Sequence, residues 1–275
     1  MTLLVLTLAS GLATGVPQES SPRASSSRYT VDTLSRGGDD RPARVMISNL
    51  QSSRRHIIAV NSTLGELRRA IIRDDEERVL LLSAKGFVVV DPDGQVPADE
   101  VYALEPVASP GGRWIAYQRF YPPTHPGTTE GVALYDTRRA REDNHAAYPI
   151  TDEREWRAGS PVYPPASEWK SAGVVTPPED AHVLSSALMW LGAPDAPALV
   201  FTMRKGDTDA LVLADPAAEP VRACVEFLPG PAGRWGTKTI TLKPGPAGGR
   251  EVRVESGALG ADRPTATFTF AADCG

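Results

Sequence analysis

Ser109-Pro110-Gly111-Gly112-Arg113-Trp114-Ile115-Ala116-Tyr117 is the stretch whose reading decides the fold. Proline presets one backbone angle and paired glycines tolerate a positive φ, so the first four residues form a tight turn. Trp114–Tyr117 then reads as a short apolar strand, and a variable connection leads to Val132-Ala133-Leu134-Tyr135-Asp136, a second strand closed by an aspartate. The same cadence stands upstream as Asp75-Glu76-Glu77-Arg78-Val79-Leu80-Leu81-Leu82, then Phe87-Val88-Val89-Val90-Asp91. It returns downstream, more loosely, as Trp190-Leu191-Gly192-Ala193-Pro194-Asp195, Ala198–Phe201 and Leu211-Val212-Leu213-Ala214-Asp215. The strand-ending aspartates Asp91, Asp136 and Asp215 are spaced by one and nearly two steps of a repeat of roughly 40–45 residues.

Working outward, the same texture holds from Arg44 to the C-terminus. Apolar runs of about four to six residues are bounded by turns such as Lys85-Gly86, Pro92-Asp93-Gly94 and Lys205-Gly206-Asp207, the pattern of strands joined by hairpins. Glu251–Val254 and Thr265–Phe270 alternate with period two, the signature of half-buried strands. The chain holds 24 Gly and 25 Pro in 275 residues, well above the ordinary combined share of roughly 12%. With 41% hydrophobic residues it can still fill a sizeable core, which excludes long helices, coiled coils and wholesale disorder. One segment competes: Thr63-Leu64-Gly65-Glu66 has capping-box spacing, so Leu64–Ile71 reads equally as a helix or an outer strand.

The Ser109–Tyr117 motif and its strand-ending Asp resemble the β-propeller repeats of the TolB-like and WD-repeat-like families, with Gly111 standing where those repeats usually carry Asp. The resemblance covers residues 64–216 and implies a mainly β fold of partial or degenerate propeller-like repeats. It implies a shape and no particular activity. Some 13 to 15 strands at four per blade would make three to four blades, the roughly four-to-eight range of closed propellers being barely reached. Residues 43–220 read as the propeller-like body. Residues 221–275 read either as a small C-terminal β unit or as a last degenerate blade, since Pro231-Ala232-Gly233-Arg234-Trp235 faintly echoes Pro110–Trp114.

Met1–Leu12 is apolar and followed by small residues, with the length of a signal-peptide core and far short of the ~20 residues a membrane helix needs. Cleavage after Ala13 fits residues 1–13 as the signal. A basic start is missing, so either translation begins upstream or the signal is weak; a buried first strand is the competing reading. Residues 14–42, rich in Ser, Pro, Arg and Gly, read as a disordered linker. Together these point to export to the periplasm or the cell exterior, with no stable membrane insertion after signal removal. Cys224 and Cys274 are the only cysteines, too few for a zinc ribbon or CxxC site. In an oxidising compartment they would form a disulfide; in the cytosol they would be two buried thiols.

Net charge is −5, with residues 1–73 basic (10 Arg against 5 acids) and the remainder acidic. The basic residues are scattered, so no nucleic-acid partner is expected. Catalytic spacings are missing: no GxSxG, HExxH, Walker A loop or GxGxxG occurs. His56, His125, His145 and His182 are far apart, Asp91–Gly94 fails the EF-hand pattern, and no metal site or cofactor is expected. The acidic runs Asp74–Glu77 and Asp99-Glu100 read as solvated loops. The segment Asn144–Asp180 interrupts the repeat cadence and carries Tyr148, Trp156, Arg157, Tyr163 and Trp169, aromatic and cationic residues of the type that suit a recognition surface. Core capping or a diverged blade is the competing reading there, and Tyr117–Pro123 is a weaker second candidate. The resulting expectation is a non-catalytic binding or scaffold protein that engages a protein or peptide partner through blade loops. The alternative is a hydrolase or lyase with an acidic site across blade ends; a third is a fragment that needs a partner to complete its sheet.

Overall fold

Strand-length apolar runs separated by turns leave the chain few options other than antiparallel meanders, and these make up the computed structural model. It describes residues 22–38, 40–94, 97–119, 132–139, 173–175, 181–183, 188–217, 222–231, 234–235, 238–256 and 264–271. The first sheet, blade 1, joins β1 (Arg23–Ser25), β2 (Tyr29–Ser35), β3 (Ala43–Asn49) and β4 (Arg55–Val60) in sequence order. A 3-10 turn at Ser62–Leu64 leads to β5 (Leu67–Arg73), β6 (Arg78–Ser83), β7 (Gly86–Val90) and β8 (Pro97–Ala108). The long β8 serves two blades. Its first half pairs β7 as the outer strand of blade 2, and its second half pairs β9 (Trp114–Arg119) as the inner strand of blade 3. A register shift between Leu104 and Val107, with Glu105 at φ 49°, makes the change of partner.

Blade 3 continues through β10 (Val132–Asp136) and β11 (Gly173–Val175). Blade 4 contains β12 (Ala181–Val183), β13 (Met189–Ala193), β14 (Ala196–Lys205), β15 (Thr208–Asp215) and β16 (Arg222–Phe227), with β12 and β13 pairing different stretches of β14. Blade 5 is β17 (Lys238–Pro244), β18 (Arg250–Ser256) and β19 (Thr265–Phe270). β1 touches β5, and β13 touches both β8 and β17. These contacts identify β1, β5, the second half of β8, β13 and β17 as the successive inner strands.

The blades stack face to face, and each interior strand is apolar on both sides for that reason. Val45, Ile47 and Ile58 of blade 1 meet Val79, Leu81 and Val88 of blade 2. Leu80, Leu82 and Phe87 point the other way, onto Ile115, Tyr117 and Tyr135 of blade 3. Trp114, Ala116 and Leu134 meet Leu199, Phe201 and Val212 of blade 4. Val200, Leu211 and Leu213 meet Trp235, Ile240, Val252 and Phe270 of blade 5. Each fully buried Val, Leu or Phe contributes on the order of 1.5–3 kcal/mol of transfer free energy. The outward face of blade 5 is exposed Thr239, Thr241, Arg253, Thr265, Thr267 and Thr269, and that of blade 1 exposes Arg44 and Arg55. Among the described residues no core joins blade 1 to blade 5, and no sheet closes the ring. Polar outer faces on terminal units are how stacked repeats end.

Three expectations differ from this architecture. Residues 23–35, within the expected linker, form β1 and β2, with Tyr29 and Val31 buried. Their polar alternation belongs to a terminal blade wetted on one side, which composition alone does not distinguish from a linker. Among the described residues the blades number five, because blade 1 starts upstream of the recognisable repeats and blade 5 continues beyond them. Leu67–Arg73 is the inner strand of blade 2, so neither a helix nor an outer strand.

His56 on β4 is half-buried, its Nε2 has no hydrogen-bond partner among the described residues, and burial pushes its pKa below the ordinary 6.5 against a smaller upward pull from Asp93. The unfolded chain therefore takes up a proton that the folded chain resists, so stability present above about pH 6.5 falls as the pH drops through and below it. We expect urea midpoints to decline between about pH 7.5 and 5.5, and less steeply in His56→Gln.

Candidate functional site

The repeat motif turns out to be structural. Ser109 Oγ accepts the Trp114 N–H at 3.1 Å, the Ser109 N–H donates to the Trp114 carbonyl at 2.8 Å, and the Gly112 N–H donates to the Ser109 carbonyl at 2.8 Å. Gly112 has φ 72°, and a Cβ there would lie 2.9 Å from Cγ2 of Ile71, so only glycine fits the turn. The strand-ending aspartates anchor the start of the preceding strand: Asp136, 2% exposed, takes Arg113 at 3.2 Å, and Asp91 takes Arg78 in the equivalent place of blade 2. Arg73, 8% exposed, donates to the Gly111 carbonyl and to Asp75 and Glu76 at 2.9 and 2.5 Å. Arg138 reaches Glu76 at 2.9 Å and Thr137 Oγ1 donates to it at 2.6 Å. Within the acidic run Asp74–Glu77, Asp75 and Glu76 thus pin blade 2 to blade 3, while Asp74 accepts from Ser26 and Glu77 pairs with Arg28, both of blade 1. Asp99 is buried and accepts the Tyr135 hydroxyl at 2.9 Å; burial, with Asp99 beside it, pushes the Tyr135 pKa up and keeps the phenol protonated.

A cavity of about 600 Å³ opens where inner strands β5, β8 and β13 converge. Pro106, Val107 and Ala108 of β8 form one wall, and Leu188, Met189 and Trp190 another. The Trp190 indole N–H donates to the Val107 carbonyl at 2.9 Å, which fixes these two walls together. Arg68 and Arg69 of β5 and Ser83 of β6 supply the polar side, with Leu82 beside them. The register shifts between Leu67 and Arg69, so a β-bulge inserts an extra residue at this point and both arginines line the cavity. Both are exposed, and among the described residues neither makes an ion pair. Ser83 is 1% exposed, and among the described residues its Oγ has no hydrogen-bond partner. Among the described residues no carboxylate lines the cavity.

Tyr148, Trp156, Arg157, Tyr163 and Trp169 lie outside the described residues, as does Cys274. Cys224 lies on β16 and packs, partly buried, on the blade 4–blade 5 core, which also holds Phe270 near the C-terminus. Sequence reading missed Arg68, Arg69 and Ser83. The available sign was Leu67-Arg68-Arg69-Ala70-Ile71-Ile72, where two adjacent arginines break the strand period as a bulge does. Among the described residues no group of three or more His, Cys, Asp or Glu could hold a metal, and no helix is long and apolar enough to cross a membrane.

No protein-family model and no curated protein matches the chain. Solved structures do. A putative 6-phosphogluconolactonase from Bacteroides fragilis is 9% identical with a TM-score of 0.39, over 88% of this chain and 64% of that one. The β-propeller domain of the Trilobed protease from Pyrococcus furiosus, described as having an open velcro topology, is 8% identical with a TM-score of 0.31, over 90% and 81%. Kluyveromyces lactis Hsv2 is 10% identical with a TM-score of 0.34, over 75% and 59%. The chain spans about three-fifths of the length of Hsv2 and of the Bacteroides protein. The mainly β, propeller-like class rests on the strand order and interblade cores.

Proposed function

We propose that this chain is a non-catalytic binding protein, exported to a bacterial envelope, that takes a segment of a protein or peptide partner into the cavity between inner strands β5, β8 and β13. The observation that carries this reading is the cavity lining itself: apolar walls and two arginines, with no acidic partner and no carboxylate among the described residues. A hydrolase or lyase needs an acid and a base facing its substrate. The clustered acids Asp75, Glu76 and Asp136 are instead held by Arg73, Arg138 and Arg113, away from the cavity. The Ser109–Tyr117 turn supports kinship with TolB-like or WD-repeat-like repeats in particular. The packing of Cys224 on the same core as Phe270 of β19 supports a Cys224–Cys274 disulfide, and the apolar Met1–Leu12 run supports a cleaved signal.

Photocrosslinking in cells from a photoreactive residue at Met189, with Thr267 on the outward face of blade 5 as control, tests this. A partner adduct from position 189 alone supports the reading, and equal adducts from both positions contradict it. Mass spectrometry of the purified product locates the mature N-terminus, and the mass change on reduction reports the disulfide. For the aromatic segment, the double variant Trp156→Ala/Trp169→Ala is expected to lose partner capture with an unchanged melting temperature. Unchanged capture would remove that segment from the interaction.

A further inference from the structure

We infer that the cavity between β5, β8 and β13 selects a carboxylate carried on an apolar peptide body, with Arg68, Arg69 and Ser83 as its anion-reading residues. This rests on the binding reading above and names the chemistry of the ligand. Ser83 Oγ is the observation that goes beyond charge. A hydroxyl 1% exposed and without a partner among the described residues is an uncompensated polar group. Ser83 lines the cavity, so a turn of its buried hydroxyl toward the opening would let a ligand oxygen accept its proton and recover that cost on binding.

Two guanidiniums on one bulged strand, with no acid among the described lining residues to neutralise them, favour an anion and offer the planar fork that matches a carboxylate. The other walls are Pro106, Val107, Ala108, Leu188, Met189 and Trp190, which suit the aliphatic part of the same ligand. Apolar walls also decide between anions. Desolvation grows with the square of the charge, so a singly charged carboxylate enters such a half-enclosed site more cheaply than a phosphate dianion. Peptides supply this chemistry from two sources, a C-terminal carboxylate on an apolar residue or an acidic side chain beside one.

NMR titration of the full chain tests the inference, following the Arg68 and Arg69 side-chain Nε–H signals. The probes are N-acetyl-leucine, its neutral amide, N-acetyl-glutamyl-leucinamide and N-acetyl-phosphoseryl-leucinamide. At least one carboxylate probe is expected to bind roughly tenfold more tightly than the neutral amide, since hydrogen bonds to charged groups are the strong ones. Whichever of the two binds identifies the source. Arg68→Gln and Arg69→Gln should each weaken it by about fivefold or more. Ser83→Ala should weaken it while leaving the melting temperature of the free protein unchanged or higher, because it deletes an unpartnered hydroxyl. Loss of stability in Ser83→Ala without loss of binding would overturn the role of that residue.

Equal shifts from the neutral amide would overturn anion selection and leave the cavity standing as a binding site. Tighter binding of the phosphoseryl probe would overturn the choice of a carboxylate. No shift from any probe would overturn both this inference and the assignment of the cavity.

Discussion

Phe87→Ala is expected to lower the unfolding free energy by about 4 kcal/mol, the range for a phenylalanine cut back in a packed core. Phe87 is fully buried between blades 2 and 3, and its ring meets Tyr117 and Tyr135 edge-on at centroid distances of 5.5 and 5.2 Å. Removing it leaves a void and breaks both aromatic contacts, each worth roughly 0.5–1.5 kcal/mol beyond the area buried. A whole domain of this kind is stable by only about 5–15 kcal/mol, so the variant should unfold at a much lower denaturant concentration. Equilibrium urea unfolding followed by tryptophan fluorescence measures this. A loss below about 1 kcal/mol would mean that blades 2 and 3 do not pack on each other through this ring.

Arg73→Met is expected to cost about 3 kcal/mol, near the lower bound for breaking a buried ion pair because Asp75 remains largely exposed. Methionine can fill much of the volume of the arginine stem, so the loss reports the missing charge and hydrogen bonds. Glu76 is 10% exposed in its side chain and would keep Arg138, whereas the Gly111 carbonyl would lose the Arg73 donor. A second readout separates this network from simple packing. Adding Glu76→Gln to Arg73→Met should restore part of the stability, because it removes the carboxylate left short of positive charge. Additive losses in the double variant would show that the two residues do not act together.

The fold was legible wherever the interblade environment imposes a repeated pattern. Val79–Leu82, Phe87–Val90 and Val132–Tyr135 are buried on both faces, and runs of that kind identify interior strands without any alternation. Val252/Val254 and Thr265/Thr267/Thr269 alternate because blade 5 has one wetted face. Blade 1 follows the same rule, but the polar residues around Tyr29 and Val31 made that alternation resemble a solvated tail. The strand-ending aspartates were visible as a repeat, yet their role was not. Pairing Asp136 with Arg113 and Asp91 with Arg78 depends on two strands lying side by side. The cavity was not legible for the same reason. Arg68, Ser83, Val107 and Trp190 are far apart in the chain and meet only because inner strands of three blades converge.

Hydrogen-exchange mass spectrometry on the protein with its captured partner tests the cavity assignment most directly. Slowed exchange is expected over 67–73, 81–84, 104–110 and 188–191, the strands and turns that line the cavity. The outward faces of blades 1 and 5 should exchange as they do in the free chain. Unchanged exchange over those four stretches, with slowing at blade 1 or blade 5 instead, would contradict it.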